Sequence, residues 1–216
     1  MRADLPLDPP LDLPLDHEAH ETVTLAPSVY YFGTPVVLLS TLMADDSTNL
    51  TPISSAWALG STYVLGLGSA NQGTENLLRT REVVINLPDA SLVEGIERIA
   101  PTTGAAAVPA AKQDRYRHEP DKWRLGRFTA IGSHVVSPDR VAQCPVQIEA
   151  RVTAVVPLPD DAVAVHAEAV LTHAHRELVR PGGRHIDLDR WRPLYYTFRH
   201  YFAQGDRVAV SFKAEQ

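Results

Sequence analysis

The sequence is poor in the features that assign a protein quickly. It has one cysteine, Cys144, in 216 residues, so no disulfide can form within the chain. No apolar run comes near the ~18 residues that a membrane span needs. Lys and Arg number 20 against 26 Asp and Glu, for a net charge of −6, and no basic stripe is visible. Nucleic acid is therefore not an expected partner, and neither is a membrane. The opening segment, MRADLPLDPPLDLPLDHEAHE, is acidic and proline-rich and lacks the uninterrupted apolar core of a signal peptide. A lone thiol and the absence of an export signature lead to the expectation of a cytoplasmic protein. No side chain stands out as a catalytic acid or base.

What is present fits a globular domain. The chain is 44% hydrophobic and 21% charged, which suits one domain over residues 22–216 with a C-terminal extension. Residues 1–21 read as a Pro-rich arm. Leu5-Pro6-Leu7-Asp8 returns as Leu13-Pro14-Leu15-Asp16, and proline removes backbone donors and favours extended chain. The arm is either a solvated tail or an extended segment whose leucines lie on a partner subunit.

Short β-rich runs follow at Thr22–Leu25, Val36–Leu42, Tyr63–Leu67 and Val83–Leu87. Thr74 is placed to cap a helix to about Arg81 that buries Leu77 and Leu78. Asp89 is placed to cap another with Leu92, Ile96 and Ile99 on one face, ended by Pro101. Residues 101–145 read as an excursion of short helices and loop. Beyond it Val146, Ile148, Ala150, Val152 and Ala154 alternate with Gln147, Glu149, Arg151 and Thr153, which predicts one buried and one wet face. Pro157–Asp161 turns the chain into a second long strand from Ala162 to about Thr172, an antiparallel hairpin. Tyr195–Phe202 and Val208–Phe212 add further strand-like runs. Many short strands and few helices predict a barrel or sandwich rather than a parallel sheet.

The stretch Pro35–Pro88 carries the chemistry. Two polar loops interrupt its strands. One leads into Asn49-Leu50-Thr51-Pro52-Ile53-Ser54-Ser55-Ala56-Trp57, and the other is Gly68-Ser69-Ala70-Asn71-Gln72-Gly73-Thr74. A loop of that second kind opening a helix presents unpaired N–H donors and a positive dipole end, which suits an anion. Gly66, Gly68 and Gly73 do not make a dinucleotide fingerprint. Four residues separate the last two where G-x-G-x-x-G allows two, the helix is short for a crossover, and Asp89 has a simpler role as a cap.

The order of these pieces resembles the flavin reductase-like family of FMN-binding split-barrel proteins. It runs strand, acidic turn, Asn-x-x-Pro-x-Ser-Ser, strand, small polar loop, Thr-x-Asn, short helix, and a strand ending Asn-Leu-Pro. The stretch Cys144-Pro145-Val146-Gln147-Ile148-Glu149 extends the likeness, which covers roughly residues 28–170. The resemblance implies a mainly β fold, a six-stranded antiparallel Greek-key split barrel with a few short helices and long excursions, in a homodimer with flavin at the subunit interface. Carried over by position, Thr51, Pro52, Ile53, Ser54, Ser55 and Ala56 flank the isoalloxazine edge, with Trp57 close to the ring. Ser69, Asn71, Gln72 and Thr74 surround the phosphate. The implied activity takes hydride from NADH or NADPH onto FMN and passes electrons to a partner oxygenase or a small substrate. Because the cofactor carries that reaction, the lack of an obvious acid or base agrees with it.

Two other readings follow from the residues. One is a flavin carrier or electron relay without NAD(P)H turnover. The other is a metal-binding β-barrel using His173, His175 and Asp187, against which stands a solvated strand end. Asn86 reads as a buried, hydrogen-bonded strand residue. The segment 176–201 exceeds what a minimal flavin reductase domain needs, so it is a candidate for shaping a substrate site or a dimer contact.

Overall fold

Alternating apolar and β-branched residues make most of the described chain strand. The computed structural model describes residues 22–214, so the proline-rich arm 1–21 lies outside the described residues. In chain order the strands are β1 (Phe32–Pro35), β2 (Val37–Leu42), β3 (Thr48–Ile53), β4 (Ala56–Leu59), β5 (Thr62–Gly68) and β6 (Glu82–Leu87). They continue as β7 (Val146–Leu158), β8 (Ala162–Ala174), β9 (Leu194–Thr197) and β10 (His200–Ala203). The helices are α1 (Gln72–Thr80), α2 (Val93–Ile99) and the single turn α3 (Lys122–Gly126). Two-residue bridges punctuate the excursion between α2 and β7.

Seven strands form one antiparallel sheet in the order β3-β2-β6-β7-β8-β5-β4. Its two edge strands, β3 and β4, are consecutive in sequence, separated only by Ser54 and Ser55. The sheet curls until its ends are joined by that short link, yet the edges do not pair and the barrel stays split. Counted as one bent strand, β3 and β4 bring the number to six. A smaller sheet, β1-β9-β10, is built largely from the C-terminal segment.

Val37 and Leu39 of β2 pack inward with Leu65, Leu77, Ile85, Ile148 and Val165. Val36 and Leu38 pack the other way, onto Leu50, Ile96, Ile99, Phe128 and Cys144. β2 is therefore buried on both faces and reads as a continuous apolar run. Asp89 caps a 3-10 turn, accepting from Ser91 N at 2.9 Å, and α2 then buries Ile96 and Ile99 as expected.

Several expectations shift. α1 begins at Gln72 with Asn71 as N-cap, so Thr74 lies inside the helix, and Leu78 is exposed while Leu77 is fully buried. The second face of β7 is wet only in part, at Arg151 and Thr153. Gln147 and Glu149 are buried because the chain from 132 to 143 folds over them. Glu149 accepts from the backbone of His134, Val135 and Val136, and Arg140 donates to Gln147 Oε1 at 2.9 Å. Thr22–Leu25 and Val208–Phe212 form no strand. Val23, Leu25, Val208 and Phe212 are exposed, so the burial that drives pairing is missing there. Residues 22–30 hold neither helix nor strand and belong to a separate unit.

Candidate functional site

β3 is an edge strand, and edge strands leave every second carbonyl unpaired. α3 covers those of β3. Asp121 caps α3, accepting from Arg124 N at 2.9 Å. The next two residues reach the strand: Lys122 Nζ donates to Leu50 O at 2.9 Å, and Trp123 Nε1 donates to Thr48 O at 2.7 Å. Thr48 and Leu50 are two apart, and Pro52 continues the same phase. Proline is tolerated there because its missing N–H would face the open edge rather than β2. Where the side chains of α3 stop, a groove begins.

The groove has two hollows that share Pro52, Ala100 and Tyr116. The first holds about 90 Å³ and is polar. Thr51, the start of α1 at Gln72-Gly73, Thr102-Thr103 and the side chains of Lys112 and Lys122 line it. α1 comes this close because Gly73 has no side chain. A Cβ there would lie 2.7 Å from Thr51 Oγ1. Asn71, the N-cap, makes no side-chain capping bond to the helix. Its Oδ1 accepts from Lys112 Nζ instead. Lys122 is 3% exposed. Burial pulls its pKa from 10.5 down to about 8, against the opposing pull of the Glu119 charge. Burial also lowers Lys112.

The second hollow, about 230 Å³, is lined by aromatic rings together with Val36, Ile53 and Ile96. Pro52, Ile53 and Ser54 form one wall, and Tyr31, Tyr196 and Tyr201 face them. The tyrosines brace one another edge to face, Tyr31 with Tyr196 at 5.8 Å and Tyr196 with Tyr201 at 5.2 Å between centroids. Tyr201 donates to Glu97 Oε2 at 2.8 Å, tying β10 to α2. Burial, together with that carboxylate, pushes the Tyr201 hydroxyl well above its ordinary value, so it stays a neutral donor.

Six of the eleven residues named from sequence line this groove: Thr51, Pro52, Ile53, Ser54, Asn71 and Gln72. Ser55 lies behind Ser54, its hydroxyl 3.2 Å from that of Tyr31. Ala56 is buried in the barrel core. Trp57 is 57% exposed and lines a different, apolar cleft with Tyr63, Trp191 and Tyr195. Ser69 is exposed, its N–H spent on Asp161 O at 2.7 Å. Thr74 is fully buried and donates to Gly68 O at 2.8 Å. Sequence reading missed Lys112, Tyr116 and the three facing tyrosines. They come from the excursion and the two chain ends, which no spacing rule connects to Pro35–Pro88.

His173 and His175 serve the scaffold. His173 Nε2 lies 2.7 Å from Glu149 Oε1, and His175 Nε2 lies 2.9 Å from Ala142 O. Among the described residues no group of three or more His, Cys, Asp or Glu is disposed to hold a metal. Asn86 is buried, donating to Leu38 O and Ser40 and accepting from Val141 N.

A split antiparallel barrel with a polar hollow at a helix start and an aromatic hollow along the seam defines the class: the fold is that of the flavin reductase-like, FMN-binding split-barrel proteins. The chain is 38% identical over 194 residues to the uncharacterized protein YdfE of Bacillus subtilis (strain 168), covering 88% of this chain and 93% of the relative, and it belongs to the YdfE family. No family model matches the chain. Flavoredoxin of Desulfovibrio vulgaris (Miyazaki F) superposes with a TM-score of 0.75 at 18% identity, over 90% of this chain and 99% of that one. Nitrilotriacetate monooxygenase component B from Bacillus cereus does so at 0.70 and 16% identity, over 89% and 100%.

Proposed function

We propose that this protein binds FMN in the two-part groove and acts as an oxidoreductase of the flavin reductase type, taking hydride from NADH or NADPH. The observation that carries this reading is the pairing of the hollows. One is cationic at a helix start, the other is walled by aromatic rings, and the Pro52 wall joins them. A phosphate dianion needs convergent donors, and a planar ring needs an apolar slot with a few polar groups at its edge.

The residues present fit that division. Lys112, Lys122 and the start of α1 would hold the phosphate. The Pro52–Ser54 backbone and the Ser54 hydroxyl would meet the ring edge, and Tyr31, Tyr196 and Tyr201 would exclude water from one side. When bound, FMN supplies the ring that accepts hydride and passes electrons on. The chain's part is then to orient, to desolvate and to leave one approach open for the nicotinamide. No proton-transfer residue is required of it. Electrons would go to a partner oxygenase or a small substrate, a reading favoured by the similarity to an oxygenase component. A homodimer is the assembly we expect. Trp57 and Leu59 on edge strand β4 are exposed and apolar, and such an edge calls for a cover.

Anaerobic titration of the FMN-loaded protein with NADH and NADPH tests this. Bleaching of the flavin absorbance is the expected result. A protein that takes up FMN but is not bleached is an electron carrier, and one that neither quenches nor is stabilised by FMN is not a flavoprotein.

A further inference from the structure

The phosphate end of the groove is built unlike the sequence expectation. The hydroxyls of Ser69 and Thr74 do not line it, one being exposed and the other turned onto Gly68 O. What lines it instead is two ammonium groups in a chain of net charge −6, and none of the residues lining the polar hollow is an acid. Burying an ammonium is unfavourable unless its donors are met. Lys122 is 3% exposed, and of its three N–H donors one is taken, by Leu50 O. Lys112 lines the same hollow, held by Asn71 at the start of α1. Two lysines held by separate elements, Lys122 by β3 and Lys112 by the start of α1, with donor capacity left over, form a socket for a small multivalent anion.

We propose that Lys112 and Lys122 together clamp a phosphate monoester dianion, and that this clamp rather than the Ser69–Thr74 loop makes the site choose FMN over riboflavin. The inference rests on the flavin reading but goes further, because a flavin site can be built with no preference for the phosphate. Lys122 is the fixed jaw, set by the Asp121 cap and the Leu50 carbonyl. Lys112 is the adjustable jaw, able to leave Asn71 when the anion arrives.

The test is the ratio of dissociation constants for FMN and riboflavin, measured by flavin fluorescence at pH 7, with inorganic phosphate as competitor. The wild-type protein binds FMN at least about tenfold more tightly, the worth of one charge-assisted bond. Millimolar phosphate displaces FMN and leaves riboflavin in place. Lys122→Met and Lys112→Met each weaken FMN about tenfold or more and leave riboflavin unchanged, so the ratio collapses. A thermal melt identifies a Lys122→Met protein that has lost its fold. Lys112→Met, on the less buried lysine, and the phosphate competition then decide. Equal binding of both flavins to wild type, or equal loss of both in Lys112→Met, overturns the clamp and leaves the flavin reading standing. Failure of wild type to bind either flavin overturns both.

Discussion

Nε2 of His173 lies 2.7 Å from Oε1 of Glu149, a carboxylate with no exposed surface. The rest of that carboxylate is met by the N–H groups of His134, Val135 and Val136. Glu149 thus anchors the chain segment that folds over β7. Replacing it with Ala leaves those donors buried and unmet, and we expect a loss of about 3–5 kcal/mol, read by urea unfolding at pH 7. His173→Ala, which removes one of the carboxylate's partners and an edge-to-face contact with His134 from a partly exposed side chain, costs less.

The same residue sets an acid limit. Burial alone would raise the Glu149 pKa, but the backbone N–H bonds and His173 outweigh it and hold the carboxyl below its ordinary 4.5. A depressed acid contributes fully above its unfolded value and is lost as pH falls through the folded one. Stability therefore declines below pH 4.5, and the decline is shallower in Glu149→Gln. An identical acid profile in both proteins would show that other carboxyls control it.

Lys122 gives flavin affinity an alkaline limit. Its ammonium titrates near pH 8 in the free protein because of burial, while Glu119 opposes the shift and Lys112 lines the same hollow. The second pKa of a phosphate monoester is about 6, so the ligand's charge is constant above pH 7. Binding above pH 8 then requires proton uptake. FMN affinity should fall by up to about tenfold per pH unit beyond that point, while riboflavin affinity stays flat and Lys122→Met flattens the FMN profile between pH 7 and 9.

The ring end should behave differently. Tyr196→Ala removes one facing wall of the aromatic hollow and breaks the edge-to-face chain through Tyr31 and Tyr201. The expected loss is about 0.5–1.5 kcal/mol, equal for FMN and riboflavin. An effect confined to FMN would place the ring elsewhere.

At the seam, a Cβ on Gly66 would lie 2.8 Å from Ser55 Cβ. Gly66→Ala should cost about 1–3 kcal/mol through overpacking. Gly132→Ala, where nothing lies within 4 Å, should stay within about 0.5 kcal/mol. Differential scanning calorimetry of the pair makes the comparison.

Much of the barrel was legible because its strands carry local signals. Alternation in 146–154, the turn at Pro157–Asp161, and the capping Asp89 each announce themselves within a few residues. Half of the groove's lining, at Thr51–Ser54 and Asn71-Gln72, was named through the family resemblance rather than through a local signal. The other half was not. The sequence leaves Lys122 open between covering the flavin or meeting nucleotide phosphates and lying in a solvated loop, and only the edge of β3 makes it a buried lysine. Tyr31, Tyr116, Tyr196 and Tyr201 meet across long separations in sequence. Glu149 looked like a solvent-facing residue because alternation cannot see a loop that folds back over the outer face.

The two-residue join between β3 and β4 constrains more than shape. Because both edges of the curled sheet belong to one continuous stretch, β3 cannot slide along β2 without dragging β4 along β5. A slip of one residue would turn Ile53 and Ala56 out of the interior at once. Register at either end is therefore checked by register at the other, and the wall Pro52–Ser54 inherits its position from the pairing of all seven strands. A ligand seated there reads the closure of the whole sheet, so a pairing fault as far away as the β7–β8 hairpin would reach the groove as a misplaced wall.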